Sequence, residues 1–333
     1  MASDGGSTGS ERLLEVQDLV VAYDGNGGAP VVAVDGIGFD VRAGETIGIA
    51  GESGSGKTTL ALALLGLLPP GARVVRGSVR FRGQDLVTLS EASLESVRGA
   101  GISIIFQEPG LALNPVVRVG SQVEEVIRAH RSWSARRCRE EAGGLLSRVG
   151  LPASDRLFDA YPHELSYGQC QRVTIAQAVA CDPALLVADE PTSSLDSTTR
   201  AEILGLLEEL KEGMGLALLL VSHDIGTLAA LADRLLVVCA GRVVEEGPLE
   251  RVCRDPLHPY TRALLGSLPR PRAAGERRRL ESIVGSPPDM ARLPPGCAFS
   301  PRCPDRMERC LARPPEAVKV RPERRVRCFN HGG

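Results

Sequence analysis

A glycine-rich loop carries the clearest chemistry in this sequence. Its residues follow the spacing G-x-x-x-x-G-K-T and are Gly51, Glu52, Ser53, Gly54, Ser55, Gly56, Lys57, Thr58 and Thr59. An apolar β-branched run at 46–50 precedes the loop and a helical pattern at 60–65 follows it, the context that a phosphate-binding loop requires. We expect positive φ angles at Gly51, Gly54 and Gly56, which would turn backbone N–H groups and the start of the helix towards one point. The pattern predicts binding of a nucleoside triphosphate.

Two side chains of the loop and two acidic residues further along predict hydrolysis. Lys57 would reach the β and γ phosphates, and the hydroxyl of Thr58 would bind Mg²⁺. Asp189 and Glu190 end an apolar strand that should lie beside the loop strand, although an acidic pair at a strand end can also be merely solvated. Asp189 would hold Mg²⁺ directly or through water, and Glu190 would orient an attacking water or accept its proton. In-line attack by water needs no covalent intermediate.

Three more side chains are ambiguous when each is taken alone. Tyr23 is either a residue of cross-strand packing or a ring that stacks on adenine. Gln107 ends a β-rich run and is either an ordinary turn residue or an amide that touches both metal and water. His223 follows a buried strand and is either structural or a hydrogen-bond partner of the γ-phosphate.

The elements that must position these residues alternate between strands and helices, which predicts an α/β fold with a largely parallel sheet. Residues 1–12 are small and polar and are expected to be a disordered leader. Residues 13–250 form the predicted catalytic domain, with a helical insertion at about 109–165. Residues 251–333 are richer in proline and arginine and are expected to form a small extension.

Composition excludes several classes of partner. The net charge is -2 and aromatic residues make up 3%, so neither a basic field nor a stacking surface for nucleic acid is predicted. The longest apolar runs are far shorter than the roughly 20 residues needed to cross a bilayer, so membrane association is expected to go through a partner. Nine cysteines without a signal peptide indicate a reducing cytoplasm.

Taken together and in order, these motifs resemble the ATP-binding subunit of an ABC transporter over residues 13 to 250. The resemblance implies a P-loop NTPase fold, with a RecA-like, mostly parallel sheet and an antiparallel edge subdomain. It implies that Tyr23 stacks on adenine and that Gln107 is the hinge glutamine that couples the nucleotide site to membrane subunits. Glu190 would be the catalytic base and His223 the γ-phosphate switch.

The family also has a signature that normally reads Leu-Ser-Gly-Gly-Gln, and here it contains Ser166, Tyr167, Gly168 and Gln169. Two subunits would pack head-to-tail, with each ATP between the loop of one and the signature of the other, and Asp196 would lie in the loop that crosses to the partner. If the third position needs a positive φ, Tyr167 costs about 1–2 kcal/mol there, and its ring would crowd the opposite phosphate. We therefore expect a heterodimer whose competent site uses this chain's loop.

The segment from His258 to Leu265 and the later cysteine-rich stretch resemble the C-terminal extension of dipeptide/oligopeptide importer ATPases. The implied partners are a second ATP-binding subunit, two membrane permease subunits and, indirectly, an extracytoplasmic substrate-binding protein. The implied location is peripheral, at the cytoplasmic face of the cell membrane. An importer of nickel or another small solute is the first alternative, and a soluble ABC ATPase acting on nucleic acid or ribosomes is the second.

Four cysteines of the extension have the spacing C-x5-C-x6-C-x17-C and are Cys297, Cys303, Cys310 and Cys328. Four thiolates are sufficient ligands for a [4Fe–4S] cluster, and some members of the subfamily resemble this arrangement. Zinc usually uses closer C-x2–4-C pairs, which this stretch does not contain. Cluster, zinc and no metal all remain open at this point.

Overall fold

The fold is described from a computed structural model that covers residues 12–25, 28–152, 154–268 and 283–332. The predicted leader lies outside this description except for Arg12, which is the first residue of the first strand.

A four-stranded antiparallel sheet covers one side of the phosphate-binding helix. Its strands are β1 (Arg12–Tyr23), β2 (Val31–Arg42), β4 (Ala72–Phe81) and β5 (Gln84–Asp85), and their order is β2-β1-β4-β5. One apolar core joins this sheet to the helix and to the main sheet, and it includes Leu14, Val34, Ile47 and Leu60. This is the antiparallel edge subdomain that the family resemblance implies.

The main sheet has eight strands in the order β11-β12-β10-β9-β3-β8-β7-β6. They are β3 (Thr46–Ala50), β6 (Ile102–Ile105), β7 (Leu185–Asp189), β8 (Ala217–Ser222), β9 (Arg234–Cys239), β10 (Arg242–Pro248), β11 (Val318–Arg321) and β12 (Arg324–Val326). Strands β6, β7, β8, β3 and β9 are parallel, and β3, β7 and β8 are buried along their whole length, as their continuous apolar runs require. Because parallel strands end at one edge, the loop after β3 lies beside the ends of β7 and β8.

Twelve α-helices occur in the described ranges. They are α1 (Lys57–Leu64), α2 (Glu91–Val97), α3 (Pro109–Ala112), α4 (Val119–His130), α5 (Ala135–Arg148), α6 (Asp155–Phe158), α7 (Tyr167–Val179), α8 (Ser197–Met214), α9 (Ile225–Ala229), α10 (Leu249–Arg254), α11 (Pro259–Gly266) and α12 (Arg309–Ala312). Helices α3 to α6 fall in the segment where the insertion is predicted, and α4 and α5 pack against α7. Within the described ranges, none of these helices is long and apolar enough to span a bilayer.

The C-terminal extension is built into the main sheet. Strand β12 pairs with β10, with Glu245 opposite Val326. The fully buried guanidinium of Arg324 forms an ion pair with Glu245, whose carboxylate also accepts from the N–H groups of Leu257 and His258 at 2.9 Å each. Removing one partner of such a buried pair typically costs about 3–5 kcal/mol. A tail poor in apolar residues therefore needs no core of its own, because it shares the core of the domain.

Candidate nucleotide site

The glycines of the phosphate loop serve two different purposes. Gly54 and Gly56 have φ angles of 75° and 99°, in the left-handed region that favours glycine. The expectation of a positive φ at Gly51 is wrong. Gly51 is needed for space instead, because a Cβ atom there would lie 2.3 Å from the carbonyl oxygen of Val238.

Lys57 lies buried inside the loop that it is expected to serve. Its Nζ donates to the carbonyl oxygens of Gly51 and Glu52 at 2.8 and 2.9 Å. Burial lowers the pKa of Lys57, and the nearby carboxylates of Glu190 and Asp189 act in the opposite direction. The ammonium group is therefore fixed at the centre of the loop, where it can meet phosphate oxygens with little rearrangement.

Helix α1 begins at Lys57 directly after the left-handed Gly56. Among the described residues, no side chain caps this helix start. The first N–H groups of a helix have no partner within the helix and carry its positive dipole end. The start of α1 is therefore available to an anion.

Asp189 and Thr58 are placed as a magnesium site requires. Asp189 is 3% exposed, and its Oδ1 atom has no hydrogen-bond partner in the part of the chain that the structure describes. Burial raises the pKa of Asp189, while the Thr58 hydroxyl and Lys57 lower it. An unpartnered buried carboxylate oxygen is costly unless a cation satisfies it, so these two residues fit Mg²⁺. The bound ion would neutralise charge on the phosphate oxygens.

Glu190 is held in a strained conformation and touches His223. Its φ is 49°, and its N–H donates to the carbonyl oxygen of Val221 at 2.9 Å, which fixes the turn after β7. Its Oε1 atom lies 2.8 Å from both the backbone nitrogen and Nδ1 of His223. Such strain costs on the order of 1–3 kcal/mol and is concentrated at functional sites.

The pairing of Glu190 with His223 limits what the imidazole can do. A carboxylate oxygen accepts hydrogen bonds, so Nδ1 of His223 is the donor in this pair. His223 must therefore leave Glu190 before this N–H can donate to a γ-phosphate. Its side chain is 55% exposed, which leaves room for this change.

The two remaining candidates near the site have different surroundings. Tyr23 ends β1 and is half-buried, and its hydroxyl oxygen lies 3.0 Å from Oγ1 of Thr59 in the phosphate loop. Its ring is thus beside the loop, which is compatible with stacking on a base. Gln107 is exposed, and within the described ranges it makes no hydrogen bond with the loop, Asp189 or Glu190.

The signature lies at the exposed start of α7. Ser166 accepts from the N–H of Gln169 at 3.3 Å, and the side chain of Gln169 accepts from the N–H of Ser166 at 2.9 Å, which is a complete capping box. Tyr167 is the first residue of the helix and does not have a positive φ. The strain considered for tyrosine at this position is therefore absent, and the bulk of the side chain remains, at a residue that is 38% exposed.

Thr199 lies beside both Asp196 and Gly168 and so connects these two residues. Asp196 caps α8 by accepting from the N–H groups of Thr198 and Thr199 at 3.0 Å. A Cβ atom on Gly168 would lie 3.0 Å from the Cγ2 atom of Thr199. The signature and the loop around Asp196 thus belong to one exposed surface.

Comparison with known proteins decides the family. The model of the ABC transporter family matches residues 34–193, and that of the oligopeptide/dipeptide transporter C-terminal region matches residues 244–310. The chain is 44% identical over 320 residues to the oligopeptide transport ATP-binding protein OppD of Escherichia coli (strain K12), covering 96% of this chain and 94% of that protein. The chain belongs to the oligopeptide/dipeptide family of ABC transporter ATP-binding proteins.

Other relatives agree with this assignment. The dipeptide transport ATP-binding protein DppD of Bacillus subtilis (strain 168) is 44% identical over 301 residues, covering 90% of this chain and 89% of that protein. A dimeric post-hydrolysis state of an ATP-binding cassette, bound to ADP and Pi, is 29% identical, with a TM-score of 0.64 over 71% of this chain and 98% of that one. The predicted P-loop fold and ABC ATPase activity class are confirmed.

Sequence reasoning missed two residues of this ABC ATPase that contact the phosphate loop. Tyr260 and Arg302, both in the C-terminal extension, bind Glu52 from 208 and 250 residues away. No spacing rule connects positions so far apart. The only available signal was that both belong to the segments that resemble the family's extension.

The four thiols of the extension lie close to one another. Burial raises the pKa values of Cys297, Cys303 and Cys328, that of Cys303 to about 11, and neighbouring thiols of the set act in the same direction. The N–H of Cys297 donates to the carbonyl oxygen of Cys310 at 2.8 Å. Yet among the described residues no three His, Cys, Asp or Glu side chains converge on a single metal ion.

Proposed function

We propose that this subunit hydrolyses ATP to drive the import of dipeptides or oligopeptides through a membrane transporter. The observation that carries the proposal is the C-terminal extension, which matches the oligopeptide/dipeptide transporter region and is joined to the catalytic sheet through β12. The names of the relatives, which describe oligopeptide and dipeptide transport, support the same cargo class.

The residues around the loop have different roles in hydrolysis. Lys57, the loop N–H groups and the start of α1 bind the phosphates and neutralise their charge. Asp189 and Thr58 hold Mg²⁺. Glu190, placed by the turn after β7, orients the attacking water and accepts its proton once it has released His223.

A second ATP-binding subunit would complete the site. Ser166 and Gly168 lie on an exposed surface together with Asp196, where they can close over the phosphates of another subunit. The ring of Tyr167 projects from the same helix start and would crowd those phosphates. We infer a heterodimer in which this chain's own loop is at the competent site and its signature serves the weaker one.

Membrane subunits and a binding protein are the other proposed partners. Large apolar side chains are exposed just after β6 and around α3, with Phe106 42%, Leu111 82% and Val116 78% exposed. These residues surround Gln107 in the chain, so a membrane subunit seated on them would also contact the proposed hinge. The subunit would then lie at the cytoplasmic face of the membrane, and the binding protein would act through the permeases.

We further propose that Cys297, Cys303, Cys310 and Cys328 hold a [4Fe–4S] cluster. The support for this proposal is that the thiols are close enough to raise one another's pKa values and that four thiolates are the ligands such a cluster uses. Anaerobic purification should give brown protein with about four irons per chain, and colourless, iron-free protein would reject the cluster.

Uptake of a labelled dipeptide tests the cargo. Membrane vesicles that contain the complete transporter should accumulate the peptide with ATP inside, and the Lys57→Ala subunit should abolish this uptake. Accumulation of nickel but not peptide would favour the first alternative. ATPase activity stimulated by nucleic acid, without co-purifying membrane subunits, would favour a soluble ABC ATPase and overturn the proposal.

A further inference from the structure

The C-terminal extension contacts Glu52, the second residue of the phosphate loop, through two side chains. The hydroxyl oxygen of Tyr260 accepts a hydrogen bond from the backbone N–H of Glu52 at 2.8 Å. The guanidinium of Arg302 donates to both carboxylate oxygens of Glu52 at 2.9 and 2.7 Å. Bidentate pairs of this kind fix geometry as well as charge.

Glu52 thereby connects the extension to the catalytic lysine. Its N–H binds Tyr260, its side chain binds Arg302, and its carbonyl oxygen accepts from Nζ of Lys57 at 2.9 Å. The carboxylate of Glu52 is also among the charges that raise the pKa of Lys57. A displacement of Glu52 would therefore move both the loop backbone and a negative charge close to the phosphate site.

Neutralisation of Glu52 matters because ATP is itself an anion. The side chain of Arg302 is 6% exposed and that of Glu52 is 20% exposed, so salt and solvent screen the pair only weakly. Without Arg302, the carboxylate would repel the incoming phosphates in surroundings of reduced dielectric constant. It would also compete with them for Lys57.

The extension holds both contact residues rigidly. Tyr260 lies on α11, is fully buried, and its ring centroid is 5.2 Å from that of Phe299. The guanidinium of Arg302 lies 5.3 Å from the Phe299 ring. Pro287 and Pro288 of the extension line a small pocket together with loop residues 52–55, which extends the contact along the loop.

We propose that Arg302 and Tyr260 are positioning residues through which the C-terminal extension sets the affinity of the phosphate loop for ATP. This inference rests on the proposed ATPase function of the same loop. Neither residue takes part in the chemical step. They keep Glu52 neutralised and its backbone fixed, so that the loop is preorganised before the nucleotide arrives.

The test uses the assembled transporter and measures the KM and kcat for ATP together with equilibrium ATP binding. Arg302→Gln should raise the KM and Kd for ATP about tenfold, with a smaller change in kcat. The double variant Glu52→Gln/Arg302→Gln should recover most of the lost affinity, because it also removes the Glu52 carboxylate charge that Arg302→Gln alone leaves without a partner. Tyr260→Phe, which loses only the hydroxyl group, should raise the KM by a smaller factor of about two to five.

Arg262→Gln is the matched control. Arg262 pairs with Asp305 inside the extension, and in the described ranges none of its hydrogen bonds or ion pairs reaches the loop, so its loss should leave the KM for ATP unchanged. Normal ATP affinity in Arg302→Gln, or a double variant as weak as the single one, would overturn the inference. If the wild-type transporter neither binds nor hydrolyses ATP, the proposed function fails instead, and the two outcomes are thereby distinguished.

Discussion

Helices α1 and α7 both begin at the proposed nucleotide sites, yet they begin in different ways. The start of α1 follows a left-handed glycine and, in the described part of the chain, has no side-chain cap. The start of α7 is closed by the capping box of Ser166 and Gln169. One helix start thus leaves its N–H groups to a ligand, whereas the other pairs the N–H of Gln169 with its own Ser166 side chain. We therefore expect the loop to bind nucleotide in the isolated subunit, whereas the proposed role of the signature needs an assembled pair.

The largest expected effect on ATP binding is at the turn that leaves α1 uncapped. A Cβ atom on Gly56 would lie 2.2 Å from the carbonyl oxygen of Ala33, and its φ of 99° is already unfavourable for other residues. Gly56→Ala should therefore weaken ATP binding by more than about 100-fold, equivalent to roughly 2.8 kcal/mol.

Gly54→Ala is the matched control for this experiment. Gly54 has a φ of 75°, but a Cβ atom there has nothing within 4 Å, so only strain of about 1–2 kcal/mol is added. Calorimetric titration with ATP should rank wild type above Gly54→Ala and Gly54→Ala above Gly56→Ala. Equal losses for the two variants would show that space around the turn is unimportant.

Acid should destabilise the chain through the extension that contacts the loop. The buried Nδ1 atom of His258 accepts from the N–H of Tyr260 at 3.0 Å, and burial lowers the pKa of His258 to about 3, with Arg262 and His331 acting in the same direction. Between pH 6.5 and 3 the unfolded chain therefore binds a proton that the folded chain does not. Stability should fall as the pH drops below about 6.5, by up to about 1.4 kcal/mol per pH unit.

Urea unfolding at a series of pH values measures this dependence. His258→Asn keeps a side-chain acceptor for the N–H of Tyr260 but cannot titrate, so it should flatten the curve between pH 6.5 and 4. A variant with the same slope as the wild type would show that other groups cause the acid sensitivity.

A smaller effect, on the stability of the subunit, is expected from removing the N-cap of α7. Ser166→Ala removes the acceptor for the N–H of Gln169 and should destabilise the subunit by about 1 kcal/mol. ATP binding by the isolated subunit should stay unchanged, since in the described part of the chain no hydrogen bond joins the signature to this chain's own loop. Weaker ATP binding by the isolated subunit would contradict the division between the two helix starts.

The smallest effect on stability is expected at Tyr167. Because this residue has ordinary helical geometry, Tyr167→Gly relieves no backbone strain and should change the free energy of unfolding by less than about 1 kcal/mol. If the ring crowds the partner's phosphates, the ATPase rate of the assembled transporter should rise. An unchanged rate would remove Tyr167 as a cause of asymmetry.

Much of the loop could be predicted from the sequence because its signals are local. The spacing of Gly56, Lys57 and Thr58, the apolar run of β3 and the pattern of α1 lie within a few residues of one another. Asp189 and Glu190 were also predictable, because a buried parallel strand delivers its last residues to the same edge of the sheet.

The errors and omissions have different physical causes. The role of Gly51 depends on the oxygen of Val238, which a neighbouring strand supplies, and the φ of Tyr167 depends on where α7 begins. The contacts of Tyr260 and Arg302 with Glu52 depend on how the extension joins the sheet at β10. Such tertiary contacts leave no periodic pattern in the sequence, so only the folded chain reveals them.

The ATPase rate of the assembled transporter with Glu190→Gln tests the central claim most directly. We predict that this change lowers the rate by about 100- to 10,000-fold, as loss of a general base does, while ATP still binds. The matching change in the partner subunit should cost much less, because we propose that this chain's loop forms the competent site of the pair. Equal losses from the two changes, or a rate that survives Glu190→Gln, would contradict the account.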